Sequence, residues 1–555
     1  MSASSKKKLR REQNAAMLTE KQVQEQKEAK KLQNYTRAFT IVIALILVVS
    51  IVTIAITGIG STGIFERSTK AITIGTHELT AAELNYFYSD VIQNTYNKWS
   101  TDYGEYMSLL VQWYEGFQMN VPLDKQDHPT ADKTWADFFT DIAVEEAHDV
   151  YALYDEAIAN NFTLTEEDQA DLDESIEAME FEATLLRGFA NLKEYLKAMY
   201  GRGAEIETFR KHMEVMTLAQ KYYDHIYETP VYEDADLREF ESENPAKYSN
   251  FNFTSFQLNP SDFIECTASA DDKTHVHTEE ENAAALIAAE AAAKELVKSG
   301  AKNAEELDKA IKALDKYAES TTAKATLSEH TAYTRINASI AKWLSEEGRK
   351  EGDIAVVPTE YTVTAEDGTE TTKISSYFVV IFHSEEDNNV NMVDIRHILI
   401  QIANGTTDEE GNTVYKDEDK AAALQKINDI KAEFEGMKKN EDNFAELAKK
   451  YSTDGSKSNG GLYENVYPHQ MVEAFNDWCF DPARKAGDYE VVETEYGYHL
   501  IYFVRTQDVL YRDYMIENDL RAHDAEEWYE SVTQPREYTV HNTSRLNRSM
   551  IIGSN

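Results

Sequence analysis

Residues 343–359 read WLSEEGRKEGDIAVVPT, and residues 478–494 read WCFDPARKAGDYEVVET. At one constant offset of 135, Trp, Arg, Lys, Gly, Asp, Val, Val and Thr coincide, eight identities in 17 positions where chance gives about one. That is the mark of an internal duplication rather than of two unrelated segments converging on one fold. Working outward, FTSFQL at 253–258 answers IRHILI at 395–400 as the strand that opens each copy. Ala-rich helices follow at 283–298 and 421–438, and apolar strands close the copies with YFVVIF at 377–382 and YHLIYF at 498–503. The order strand, helices, helix, strand, strand predicts two small α+β domains at 240–390 and 393–506, each with helices packed on an antiparallel or mixed sheet.

The whole chain has 555 residues, enough for about three or four domains. With 42% hydrophobic residues and only nine prolines it can build packed cores. Its net charge of −44 argues against nucleic-acid binding, because phosphates would be repelled. The charge is unevenly spread. Residues 1–37 carry ten basic and four acidic side chains, a net +6, which leaves −50 on the remainder, read as a solvated acidic surface.

Residues 38–65 hold no formal charge, and 38–57 read AFTIVIALILVVSIVTIAIT. A helix of about 20 such residues spans the hydrocarbon layer of a bilayer. The expectation is a basic cytoplasmic tail at 1–37, a single transmembrane anchor at 38–58, and everything beyond it outside the cytoplasm. A cleaved signal peptide is the competing reading, but its apolar core usually runs about 7–15 residues after a short leader, and both are longer here. The only cysteines, Cys266 and Cys479, exclude lipid attachment close behind the helix and make no disulfide framework, so both are read as packing residues.

Residues 72–88 predict a short strand, a turn at Gly75 and a helix capped by Thr80 with Glu83 three residues on. Apolar residues at three- and four-residue spacing continue through 135–160, 165–179 and 192–227, predicting an α-helical domain over 70–235. Its Tyr, Phe and Met stripes are core in the plainer reading and a binding groove in the sharper one. Residues 507–555, with a helix at 511–532 and YTVHNTS at 538–544, are expected to pack back onto that domain.

The second copy resembles the parvulin family of peptidyl-prolyl cis/trans isomerases through RHILI (396–400), NFAELAKKYSTD (443–454), GGL (460–462), MVEAF (471–475) and TEYGYHLI (494–501). Together with the helical region, the arrangement looks like extracytoplasmic foldases of the PrsA and SurA type. The resemblance implies an α+β multidomain fold: an N-terminal transmembrane helix, a SurA-N-like helical chaperone domain, and two parvulin-like domains of which the first is degenerate. It makes His397, Asp454, His499 and Thr494 the catalytic set, and Leu462, Met471, Phe475 and Tyr496 the proline-binding set, with Met471 and Phe475 four apart on one helical face. Taken singly, a strand histidine is usually structural and a Met/Phe pair is usually core; their joint occurrence in family order is what gives the reading weight.

Isomerisation breaks no bond. Rotation about the partial C–N double bond costs about 18–20 kcal/mol, so a catalyst need only bind the twisted amide better than either planar form. No metal or cofactor is implied. His275 and His277 with Asp271, Asp272 and Cys266 lack a closed four-ligand spacing and are discounted as a metal site. In the first copy Ser255 replaces His397 and Phe378 replaces His499, so 240–390 is expected to be silent and used for binding, spacing or homodimer contacts. The expected partners are unfolded, newly exported polypeptides containing proline, together with the membrane. The alternative is a holdase chaperone or envelope scaffold in which both copies only bind peptide.

Overall fold

A computed structural model of the chain describes residues 63–130, 132–264, 277–364, 369–407 and 413–552. The expected tail and anchor at 1–58 lie outside the described residues, as do Cys266, Asp271, Asp272 and His275. Among the described residues no helix is long and apolar enough to cross a membrane. The chain divides into two compact units: residues up to Val231 with those from Arg521 onward, and Tyr232–Leu520.

In the first unit, helices start where Thr side chains and N3 carboxylates cap each other reciprocally. Thr80 with Glu83, Thr134 with Asp137 and Thr165 with Asp168 open the helices Ala81–Tyr103, Trp135–Ala159 and Glu166–Phe181. A short strand, His77–Thr80, precedes the first of these and pairs with Lys70–Ile74 across the Gly75 turn, where the sequence suggested one strand only. The single helical run expected over 192–227 is two helices, Leu192–Tyr200 and Ile206–Glu228. The break falls at Gly201, with φ 91°, and Gly203, where a Cβ would come within 2.6 Å of the Ala82 side chain. From the C-terminal end, the strand Tyr538–Val540 pairs with Lys70–Ile74, and Leu546, Met550 and Ile552 enter the core around Phe87, Trp99 and Trp135. Of the described C-terminal residues, those from Arg521 to 552, rather than all from 507 on, belong to this unit.

The second unit contains two antiparallel four-stranded sheets of identical order. One runs Thr326–Ala332, Asn250–Leu258, Glu370–Glu386, Ile354–Thr364; the other runs Leu462–Val466, Asn391–Ile400, Gly497–Leu510, Tyr489–Thr494. Each sheet packs longer helices on one face, Glu279–Lys298 with Ala304–Ala313 and Asp417–Glu435 with Glu441–Tyr451. Each buries a short helix on the other, Ala338–Leu344 or Glu473–Cys479.

The repeated sequence builds one device twice. Arg349 lies 3.9 Å over the Trp343 ring and donates to its carbonyl; Arg484 lies 4.0 Å over Trp478 and does the same. Gly352 N–H donates to Phe382 O at 2.8 Å and Asp353 O accepts from Phe382 N–H; Gly487, Phe503 and Asp488 repeat the pair. The eight identities therefore hold the short helix and the edge strand onto the sheet. Cys479 is a buried packing residue, its thiol pushed up to about 12 by burial.

Candidate functional site

The two central strands of the second sheet pair with His397 opposite Ile501 and His499 opposite Leu399. Period-two alternation then puts both imidazoles on one face as diagonal neighbours. They are 4% and 5% exposed, and their Nδ1 atoms lie 3.1 Å apart. His397 Nε2 reaches Asp454 Oδ1 at 3.2 Å, and His499 Nε2 reaches Thr494 Oγ1 at 2.8 Å. Asp454, His397, His499 and Thr494 thus form one unbroken hydrogen-bonded chain.

Local backbone chemistry places its ends. Leu399 N–H donates to Ser452 Oγ, and Thr453 donates both N–H and Oγ–H to Leu399 O, which stitches the 452–454 turn to the strand carrying His397. Asp454 then caps the short Gly455–Asn459 turn by accepting from Ser456 N–H at 2.8 Å. Gly461 N–H donates to Ser456 O and its carbonyl accepts from His397 N–H. With φ 72°, a Cβ on Gly461 would stand 2.1 Å from His397 O, so only glycine allows this approach. Thr494 ends the edge strand and accepts from Tyr496 N–H at 3.2 Å.

The chain of groups has a polarity. Hydrogen bonds from His397 and Ser456 hold the Asp454 carboxyl far below the usual carboxylate range. Burial, and then the neighbouring His397, push His499 down to about 4. A neutral His499 satisfies the chain in two ways. Either His397 donates through both nitrogens and His499 donates Nε2–H to Thr494, or His499 donates Nδ1–H to His397 and accepts from the Thr494 hydroxyl. The first state carries one proton more than the second, so the two differ by exchange of a proton with the surroundings and not by transfer within the chain. The Phe475 ring stands edge-on to both imidazoles, at 5.5 and 5.2 Å, as an apolar wall.

The eight expected site residues do not all converge. His397, His499, Thr494, Asp454 and Phe475 do. Met471 packs against the same cluster as Phe475, but not on its helix: Val472 is the extended N-cap of Glu473–Cys479, so Met471 precedes the helix in a bend. Leu462 pairs with Arg396 and by alternation faces away from the histidines. Tyr463 takes the inward position, 5.3 Å from the His397 ring, and donates to Asp454 at 3.3 Å. The Tyr496 side chain is 57% exposed, and only its N–H joins the network. Sequence reading missed Ser452, Ser456 and Tyr463. The available signal was the S-x-D-x-S spacing, which lets two hydroxyls serve one capping aspartate.

In the first copy, Ser255 pairs with Val380 as His397 does with Ile501, and Phe378 pairs with Val357 and Gln257 as His499 does with Val492 and Leu399. The register thus puts Ser255 and Phe378 where the second copy has its histidines.

Residues 379–507 match the PPIC-type PPIase domain family, a span that takes in the end of the Glu370–Glu386 strand and the second sheet up to Gln507 in its Gly497–Leu510 strand. The foldase protein PrsA of Staphylococcus epidermidis is 35% identical over 121 residues, 21% of this chain and 34% of that protein. Foldase protein PrsA 1 of Listeria innocua is 43% identical over 68 residues, 12% of this chain and 23% of its own. The chain therefore spans about a third or less of these relatives. A crystal structure of the peptidylprolyl isomerase PrsA from Bacillus cereus is 25% identical and covers 27% of this chain and 50% of its own, with a TM-score of 0.16. The histidine-paired sheet, the family match and the PrsA sequence relatives together identify the chain as carrying a parvulin-type, PPIC-class peptidyl-prolyl isomerase domain, similar over that domain to PrsA foldases.

Proposed function

We propose that the protein is a membrane-anchored extracytoplasmic foldase whose second α+β domain accelerates cis/trans isomerisation of X–Pro bonds in exported chains. The Asp454–His397–His499–Thr494 network carries this reading. Resonance in a planar amide places partial negative charge on the carbonyl oxygen, and rotation withdraws it. An ionised Asp454 beside that oxygen destabilises the planar forms relative to the twisted one, which is differential binding of the transition state. His397 holds the carboxylate in place, and the neutral His499 orients His397 without adding a charge. Phe475, Met471 and Tyr463 supply the apolar rim for the proline ring.

The helical unit is assigned the holding of unfolded segments. Trp113, Tyr114, Leu109 and Tyr106 stand exposed on one stretch of it, and Phe181, Leu185 and Leu186 on another, apolar surface in excess of what a solvated bundle needs. The anchor is assigned to 38–58 on its length, apolarity and basic flank. The first α+β copy is assigned a non-catalytic role.

Exchange rates of an X–Pro peptide panel with the full chain, beside a His397→Ala variant of unchanged circular dichroism, test the proposal. A rate above background that the variant loses supports it. Equal background rates in both, with aggregation of unfolded clients still suppressed, would leave a holdase.

A further inference from the structure

Outside the isomerase network, the second unit gathers another set of ligating side chains. His330, Glu386 and His469 place one donor atom each within 4.8 Å of one another, the one such group among the described residues. The imidazoles of His330 and His469 lie parallel, 3.3 Å between centroids and 7° between planes, and His330 Nδ1 is 2.7 Å from Glu386 Oε1. Each part is held from behind. His330 sits at an irregularity in the Thr326–Ala332 strand with φ 49°, its N–H donating to Asn252 Oδ1 while Asn252 Nδ2 donates to Glu386. His469 has φ 64°, and its N–H donates to the buried Asn476 side chain at 2.7 Å. Non-glycine residues in this region are strained and persist where surrounding contacts impose them.

We propose that His330, Glu386 and His469 form a binding site for a divalent transition-metal cation, zinc by the chemistry of the donors. Two neutral imidazoles and a carboxylate suit that ion; a tetrahedral centre with bonds of about 2.0–2.1 Å needs donors roughly 3.3 Å apart, so the two exposed rings would turn out of their parallel stack to aim both lone pairs at one ion, leaving one position for water. Asn252 acts as the outer partner that aims the carboxylate and fixes the bulge. Glu385 and Asp387 line the same cleft and draw cations toward it. The site joins the two copies: His330 and Glu386 come from the silent one, and His469 from the turn that leads through Met471 to Phe475. A bound ion would pin that turn, giving the silent copy a part in shaping the proline pocket. The inference stands whether or not the isomerase reading does.

The test is Zn2+ binding to the untagged full chain by calorimetry, with Co2+ as a spectroscopic probe of tetrahedral coordination. One ion per chain is expected, weakened more than about tenfold in His330→Ala and in His469→Ala. Glu386→Gln, which preserves volume, should weaken it comparably, and a His275→Ala/His277→Ala double variant should bind as the parent does. Amide exchange over residues 467–472 should slow on adding Zn2+. Absence of binding, binding indifferent to His330 and His469, or binding lost only with His275 and His277 would overturn the proposal.

Discussion

The sharpest consequence of burying His499 is a pH dependence of stability local to one domain. An unfolded histidine titrates near 6.5, whereas His499 in the fold is pushed down to about 4 by burial and by its neighbour His397. Because the folded value is depressed, both states are neutral at pH 8 and the group contributes no difference there. Below 6.5 the unfolded chain takes up a proton that the folded site refuses, so stability falls with pH until the folded group titrates. These two values give a loss of about 2 kcal/mol between pH 8 and pH 5, and about 3 kcal/mol by pH 4. Amide exchange of the Gly497–Leu510 strand, followed by mass spectrometry at each pH, reads this local free energy. His499→Gln cannot titrate and should lack that increment when the parent and variant slopes are subtracted. A variant whose slope matches the parent's within about 0.5 kcal/mol would refute the claim that His499 is held neutral.

Other expectations follow from single contacts. Asp454→Asn keeps the shape but removes the charge, and kcat/KM on an X–Pro peptide should fall about 100-fold with folding intact; unchanged turnover would remove the carboxylate from the mechanism. Gly461→Ala forces a Cβ onto His397 O and an L-residue into φ 72°, so urea unfolding of the domain should lose at least about 3 kcal/mol; a loss under 1 kcal/mol would mean that the strand yields easily. In the helical unit the pH slope should have the opposite sign. Burial, then Asp90 and Asp149, push Glu146 up to about 7, so this contribution is present below the unfolded carboxylate's range and lost as pH rises through 7. Amide exchange of the Trp135–Ala159 helix should show about 2.5 kcal/mol more stability at pH 5 than at pH 8, absent in Glu146→Gln.

What the sequence made legible were features whose cause is local or periodic. The Thr80 and Thr165 caps, the Ala-rich helices and the apolar closing strands follow from spacing. The offset of 135 was readable because Arg484 stacks on Trp478 six positions away and Gly487 and Asp488 clasp Phe503 within the same copy, so the shared spacing is short. Leu462 was misplaced because its facing depends on pairing with Arg396, 66 positions away, which no local pattern records. Met471 was placed on a helix because four-residue spacing is silent about where the N-cap falls. Ser456 and Tyr463 became visible only once the 452–463 segment was seen to curl around one carboxylate, and the His330–Glu386–His469 group joins three distant stretches.

The two copies also support the role proposed for the histidines. The first sheet keeps the strand order, the Trp–Arg stack and the Gly–Asp clasp, yet it carries Ser255 and Phe378 at the histidine positions. Its Thr359, the counterpart of Thr494, accepts from Ser376, which in turn accepts from Gln257, a neutral chain with nothing to titrate. The fold is therefore built as well without the imidazoles as with them. In the second copy both are buried, His499 at a cost that grows as pH falls, and His397 is aligned on a carboxylate kept ionised beneath an aromatic wall. Packing alone is met more cheaply by the serine and phenylalanine of the first copy. The surplus electrostatic organisation of the second is what a twisted amide can use and a merely structural sheet cannot.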